Sequence, residues 1–398
     1  MTRPLQIARA DIFEADAGWQ RLSFLKLTAS DGTAGWAEFS QGFAAGLAGV
    51  VRALAAMVLG HDPRDAQRLA LELQARGRAV GGGLHAQACA AVENACLDLK
   101  ARALGVPVYE LFGGCYRSEL PAYWSHCGLY RVRRPDLFEG RGVCVPRSLQ
   151  DMRHVAAEVP ARGLRALKTN LLSFAADGTA DVHMPGFARG PDHPALHVDA
   201  ALVERSVALV RHLREGAPGT GLMLDLNFNC KPEGARRLAS ALDGALDGGL
   251  EWLEIDGLDA DSLAWVRAHS RVPIASLEAA YGRQAILPYL QARAVDVAII
   301  DPMWNGLGES LRMAALADTF QVNVASHLYT GTLATAMCAH FCAAIPNLRI
   351  MELDVDRAPG LQDLFVGDVV VRDGCVRVPE GPGWGVIPNE SRLTPWAG

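Results

Sequence analysis

Seven residues able to do chemistry recur at the ends of successive apolar runs in this 398-residue chain: Lys168, Asp225, Glu254, Glu278, Asp301, His327 and Glu352. Asp225, Glu254 and Glu278 follow one another at spacings of 29 and 24 residues, each close to one strand-plus-helix unit. Carboxylates brought together at neighbouring strand ends repel one another unless a cation bridges them. An all-oxygen donor set suits Mg2+ or Mn2+ better than Zn2+. Asn227 lies two residues after Asp225, on the same face of an extended strand. There it could support the ligand or touch a substrate. Asp301 and His327 end the next two runs, which sets a carboxylate beside an imidazole. Such a bond fixes the tautomer and raises the basicity of the other ring nitrogen, making a general base. The bland alternatives are unrelated salt bridges and a satisfied core histidine. Reactive residues at the end of every neighbouring segment weigh against both. Lys168 sits in the apolar Ala166–Asn170 segment, where an ammonium is costly to bury without a role. Asn170 shares its face, and Glu352 closes the ring from the last run. These parts suit abstraction of a proton α to a carboxylate, which leaves an enediolate whose doubled charge a divalent cation stabilises.

Eight short apolar runs carry these residues: Leu120–Cys127, Leu164–Leu171, Gly221–Phe228, Leu250–Asp256, Val272–Glu278, Ala294–Asp301, Gln321–Leu328 and Leu348–Val355. Helix-length linkers join most of them, as parallel strands require, and the alternation predicts a TIM-type barrel. The active site of such a barrel lies at the C-terminal strand ends. Ahead of the barrel, alternating residues around Leu22–Leu27, the turn signal Asp31-Gly32-Thr33 and a strand over Ala34–Phe39 predict a small sheet. Helical periodicity follows over Ala44–Leu59, Pro63–Ala75 and Ala86–Leu104, stopped by Gly105-Val106-Pro107. The opening segment is therefore an α+β unit. A Gly/Pro/Asp/His-rich stretch over about 173–200 breaks the barrel rhythm, as substrate-covering or assembly loops do. The last ~30 residues hold short strand-like pieces, too few for a domain of their own.

The totals fit this reading. Hydrophobic residues make up 50% and charged residues 21%, which is globular rather than disordered composition. The net charge of −6 comes without a basic stripe, so nucleic acid is not an expected partner. The first residues lack the apolar run of a signal peptide, and no run is long enough to span a membrane. Nine cysteines form no CxxC pair, and Cys338 and Cys342 read as helix core packing. The expected setting is reducing and cytoplasmic.

Several segments together resemble the enolase superfamily, in its mandelate racemase-like branch. Ala91–Gly114 (AVENACLDLKARALGVPVYELFGG) is similar to the family's helix and turn at the end of its cap. Arg165–Asn170 resembles its K-x-K strand, Leu224–Asn227 its first metal strand, and Pro273–Glu278 its P-I-A-x-G-E strand. Asp301–Gly308 and Ser326-His327 resemble its Asp/His segments. The resemblance implies a modified TIM barrel, (β/α)7β, over residues 120–365. An α+β capping domain would comprise residues 1–119, completed by 366–398. It implies Mg2+ held by Asp225, Glu254 and Glu278, a small carboxylate substrate and a homo-oligomer. Cap loops near residues 14–21 and 41–46 would select the substrate, with Trp19 and Phe43 as candidates, and Ser125 and His126 at the first strand end could touch it. Three departures matter. Asn170 replaces the second Lys, so a two-base racemase is disfavoured; a K-x-N strand is similar to acid-sugar dehydratases, in which the dyad His takes the proton and Lys168 supports the substrate carboxylate. Glu254 is followed by Ile255-Asp256, so Asp256 competes as a ligand. Leu277 replaces the Gly before Glu278. The expected activity is a sugar-acid dehydratase acting on an aldonate or aldarate, with an epimerase, racemase or cycloisomerase as alternative. The acid for the departing hydroxyl is open among His327, Tyr329, His183, His193 and His197. A TIM-barrel hydrolase would want His-x-His on the first strand, where the chain has only His126.

Overall fold

The computed structural model describes residues 5–40, 44–77, 79, 82–184, 196–247 and 249–398. Its centre is a closed barrel of eight parallel strands. In order these are Glu119–Ser125, Ala166–Asn170, Gly221–Asp225, Leu250–Glu254, Ile274–Ser276, Val297–Ile300, Asn323–Ser326 and Leu348–Asp354. The eighth returns to the first, with Glu352 opposite Tyr123 and Asp354 opposite Ser125. The strands are buried nearly throughout, as expected for a parallel sheet covered by helices. Inside the barrel, Tyr123, Ala166, Met223, Trp252, Ala275, Val297, Ile299 and Ala325 form a separate small core. This plug fills the barrel beneath the strand ends, so reactive groups are confined to its mouth.

The observed strands are shorter than the apolar runs of the sequence. Val272–Glu278, for example, contains only the strand Ile274–Ser276. Glu278, Asp301 and His327 consequently lie just past their strands, where the chain turns outward over the mouth.

The opening segment forms an antiparallel sheet of Ile7–Asp16, Arg21–Ala29 and Ala34–Phe39, with Thr394–Pro395 pairing on its outer edge. The predicted turn is present: Thr33 N–H donates to Asp31 Oδ1 at 2.9 Å while Gly32 takes φ +91°. Helices Leu47–Ala56, Ala66–Arg76 and Gly83–Leu104 pack behind it. The end of the chain bridges both parts, since Cys375–Arg377 pairs antiparallel with Glu119–Pro121 of the first barrel strand.

Buried polar contacts lock this sheet-and-helix unit onto the barrel. Glu38, at the end of its third strand, accepts N–H bonds from Gly331 (2.6 Å) and Ala334 (3.1 Å) at the start of helix Thr332–Ala343. A carboxylate is favoured there by the free N–H groups and dipole of the helix. Asn94 donates to the Pro302 carbonyl and accepts from Leu307 N–H, both at 2.9 Å. The result is a fixed roof beside the barrel mouth. Among the described residues no helix is long and apolar enough to cross a membrane.

Candidate active site

A cavity of about 960 Å³ opens between the roof and the strand ends. Its floor and walls include Lys168, Asp225, Asn227, Glu278, His327 and Glu352, each from a different strand end except Asp225 and Asn227. The roof contributes Trp19, Gln20 and Arg21. His126, Tyr130, Trp304 and Tyr329 complete an aromatic and imidazole wall. The described start of the insertion after the second strand is a hairpin of Leu172–Phe174 and Ala180–Val182, which brings Ala180, Val182 and Met184 to the same cavity.

His327 is the best-defined acid/base candidate. Its Nδ1 lies 2.8 Å from Asp301 Oδ2. A carboxylate there can only accept, so Nδ1 carries the proton and Nε2 is left for chemistry. Asp301 cannot swing away, because its other oxygen caps the turn after the sixth strand, accepting from Met303 N–H (2.6 Å) and Trp304 N–H (3.0 Å). Nε2 points toward Glu278 Oε2 at 3.4 Å. Burial pulls the imidazole pKa down, but the charges of Glu278 and Asp301 outweigh it and lift it to about 10.

Lys168 is 2% exposed and sits between two carboxylates, 2.8 Å from Glu254 Oε2 and 3.0 Å from Glu352 Oε1. Burial disfavours its charge, yet these partners hold it firmly protonated, well above the usual lysine range. Glu352 is further fixed by Ser125 Oγ–H and Leu328 N–H, each at 2.5 Å. Burial raises the Glu352 pKa, and Lys168, His327 and His126 overcome it, bringing it to about 2. Glu352 is therefore an acceptor rather than the protonated donor that a lone buried glutamate could be.

The carboxylates meet as a compact group. Glu254, Asp256 and Glu278 each offer an oxygen, and these oxygens all lie within 4.8 Å of one another. Glu254 Oε2 is held by Lys168 and by Trp252 Nε1–H (3.2 Å), while Oε1 is buried without a partner. Asp256 Oδ1 is held by Ser276 Oγ–H (2.9 Å) and Leu277 N–H (3.0 Å), while Oδ2 is buried without a partner. Burial raises all three pKa values, to about 7 for Glu254 and about 6 for Asp256, with Glu278 also pushed well up. Asp225 is adjacent in register to Glu254 and turns both oxygens to Asn227, at 2.7 Å to its N–H and 3.4 Å to Nδ2. Hard oxygens, two of them orphaned, within a span of this size fit a small divalent cation with oxygen ligands at roughly 2.1 Å.

The remaining sequence candidates are placed plainly. Asn170 and Ser125 lie one layer behind the cavity wall, Asn170 donating to Asn227 Oδ1 at 3.0 Å and Ser125 to Glu352. Trp19 lines the cavity and stacks on Tyr130 at 4.4 Å. Phe43 and His193 lie outside the described residues. His183 and His197 are not on the cavity wall, whereas Tyr329 is, with its hydroxyl 2.5 Å from Ser40 Oγ. Sequence reasoning missed Tyr130, Trp304 and Asp354. Tyr130 stands four residues after His126, one helical turn, which was the available signal.

Comparison with known proteins shows the family of the chain. Residues 1–113 match the mandelate racemase / muconate lactonizing enzyme N-terminal domain, and residues 151–392 match the enolase C-terminal domain-like family. The chain belongs to the mandelate racemase/muconate lactonizing enzyme family. As a member of the enolase superfamily it is an enzyme. A D-galactarolactone cycloisomerase of Agrobacterium fabrum is 27% identical, the match covering 93% of this chain and 89% of the relative. A D-galactonate dehydratase of Ralstonia nicotianae is also 27% identical, over 97% of this chain and 93% of its own. Among solved structures, a provisionally named L-alanine-DL-glutamate epimerase of Burkholderia xenovorans strain LB400, bound to magnesium and fumarate, is 40% identical. It superposes with a TM-score of 0.92 over 97% of this chain and 95% of that one.

Proposed function

We propose that this family member is a Mg2+-dependent dehydratase of a sugar acid, aldonate or aldarate, forming a 2-keto-3-deoxy acid and so acting as a carbon–oxygen lyase. The observation that carries the reading is the one-sided acid/base arrangement. His327, oriented by Asp301, offers Nε2 to the cavity, while the opposite side carries Lys168, committed to Glu254 and Glu352, and Asn170, committed to Asn227. Inversion at the α-carbon needs a base on each face. A lysine held charged by two carboxylates and an amide are both poor bases.

In this reading His327 Nε2 takes the α-proton. Lys168 Nζ–H faces the substrate carboxylate and stabilises the charge that moves onto it. Asp225, Glu254 and Glu278 would hold the cation, Mg2+ or Mn2+, with Asp256 beside them. When bound, that cation would supply the positive charge that makes an α-proton next to a carboxylate acidic enough to remove. The roof and its aromatic wall exclude water and enclose the hydroxylated chain. The dehydratase names of relatives at 26–27% identity support the substrate class. A one-base cycloisomerisation of a related acid is the second reading, favoured by the name of the Agrobacterium protein, and an epimerisation, the activity in the name of the Burkholderia protein, is the version that a single base disfavours. Assembly as a homo-oligomer is proposed on family resemblance.

The test is a screen of purified protein with Mg2+ against aldonic and aldaric acids, reading 2-keto acid colorimetrically and 2H uptake from D2O by NMR. Keto acid from one stereochemical group is the expected result. Deuterium uptake without keto acid selects the isomerase reading, and neither signal refutes both.

A further inference from the structure

A second carboxylate–histidine pair faces the same cavity. His126 follows the first barrel strand, and its Nδ1 lies 2.9 Å from Asp354 Oδ1 on the eighth. Tyr130, four residues on in the short helix Leu129–Arg133, donates its hydroxyl to Asp354 Oδ2 at 2.9 Å. The same hydroxyl is 3.3 Å from His126 Nδ1. Asp354, held at both oxygens, fixes the proton on Nδ1 and leaves Nε2 as the nitrogen available to a ligand. His126 keeps this position at φ +50°, a backbone region that non-glycine residues enter at a cost and that clusters at functional sites.

Dehydration needs an acid for the departing β-hydroxyl as well as a base for the α-proton. Among the described residues the cavity wall carries two histidines, His126 and His327. The Tyr329 hydroxyl is bonded to Ser40, and burial pushes its pKa up, which makes it a weak acid. We propose that His126, positioned by Asp354 and Tyr130, is the general acid that protonates the departing hydroxyl. The inference rests on the dehydratase reading and separates the acid from the base that reading already names. His327 and His126 rise from the seventh and first strands, with the eighth between them.

The step balances within these groups. His327 Nε2 takes the α-proton, and the electron pair of that C–H bond moves onto the substrate carboxylate as an enediolate; the pair then returns to form the new carbon–carbon double bond. The β C–O bond breaks, its pair goes to oxygen, and that oxygen takes the proton of His126 Nε2 and leaves as water. The enol product tautomerises to the 2-keto acid, and exchange with solvent returns one proton to His126 and removes one from His327. The groups facing His126 are Asp354, Tyr130, Glu352 and Lys168. Burial and Lys168 disfavour the imidazolium, but Asp354 and Glu352 outweigh them, so the net shift is upward and the acid form is favoured.

The experiment compares wild type with His126→Gln and Asp354→Asn on the aldonic and aldaric acid panel in D2O with Mg2+. For His126→Gln, keto acid formation should fall about 100-fold or more, the usual contribution of one acid/base group. Unreacted substrate should still take up 2H at its α-carbon within about threefold of the wild-type proton-abstraction rate, because His327 is intact. For Asp354→Asn, the alkaline limb of kcat should move to lower pH, since the imidazolium loses the carboxylate that favours it. That second readout stands even where His126→Gln fails to fold. Equal loss of exchange and elimination in His126→Gln, retention of both, or an unmoved alkaline limb in Asp354→Asn overturns the assignment of His126 while leaving the dehydratase reading in place. Absence of both signals from wild type overturns the two together.

Discussion

Replacing Lys168 by Met tests whether the barrel mouth is an electrostatic unit. Met keeps most of the aliphatic stem and removes only the ammonium. In the wild type that ammonium is bonded to Glu254 and Glu352 at 2.8 and 3.0 Å, with 3% of the side chain exposed. Burial alone would raise the Glu352 pKa, and Lys168 leads the groups that instead bring it from 4.5 to about 2. At about 1.36 kcal/mol per pKa unit, that net displacement corresponds to roughly 3 kcal/mol, of which the Lys168 charge is the largest favourable part. This agrees with the roughly 3–5 kcal/mol lost when one partner of a buried pair is removed. A carboxylate with a depressed folded pKa contributes stability that is present above its unfolded pKa and lost as pH falls through its folded one. The penalty of Lys168→Met should therefore be full near pH 7.5 and shrink as pH falls from 4.5 toward about 2. An unfolding entropy of about 2.1 cal/mol/K per residue gives roughly 0.84 kcal/mol/K for 398 residues, so a loss of roughly 3 kcal/mol lowers Tm by about 4 °C. Scanning fluorimetry in chelator, at pH 7.5 and again at pH 4, measures this difference. A change below 1 °C at pH 7.5, or a gap that widens in acid, would refute the pairing argument.

His327→Asn should remove α-proton exchange, by about 100- to 10,000-fold, while Tm changes little, because an amide can still donate to Asp301; exchange retained at wild-type rate in D2O would sink the base assignment. Glu38→Gln probes the joint between roof and barrel. Burial raises Glu38 to about 7 from 4.5, so the wild type gains stability from its proton below about pH 4.5 and loses it as pH rises through about 7. Tm of Glu38→Gln minus Tm of wild type should therefore increase from pH 5 to pH 8, and a flat difference would show that Glu38 does not titrate with folding.

The residues at the barrel mouth were legible because each departs from the texture around it. A Lys in Ala166–Asn170, or a Glu after Trp252-Leu253, is costly to bury in a strand, and the structure pairs the two at adjacent strand ends. Spacing then supplied the barrel, since each βα unit returns the chain to the same rim. The backbone at the rim was not legible. Asn227, His126 and Leu277 all take positive φ, at +53°, +50° and +96°. Asn tolerates that region, but nothing in a Leu announces it. Leu277 is held there by tertiary contact, its N–H donating to Asp256 at 3.0 Å. Asp256 was visible only as a break in the family pattern. The pairing of His126 with Asp354 spans 228 residues and has no local signature at all.

Charge balance at the mouth explains why a cation is proposed from the residues of the site and not from the composition of the chain. Asp225, Glu254, Asp256, Glu278, Asp301 and Glu352 are all buried, and the buried cations facing them are Lys168 and, when protonated, His327. Even with both cations charged, more carboxylates than cations remain, and an unpaired buried charge costs several kcal/mol. Without an ion, burial first and the neighbouring carboxylates second raise Glu254 to about 7 and Asp256 to about 6, while Glu278 and Asp301 lift His327 to about 10 against its burial. In the proposed reading, Asp225, Glu254 and Glu278, with Asp256 beside them, would hold a divalent cation whose charge would take the place of protons on these groups and weaken the negative field at His327.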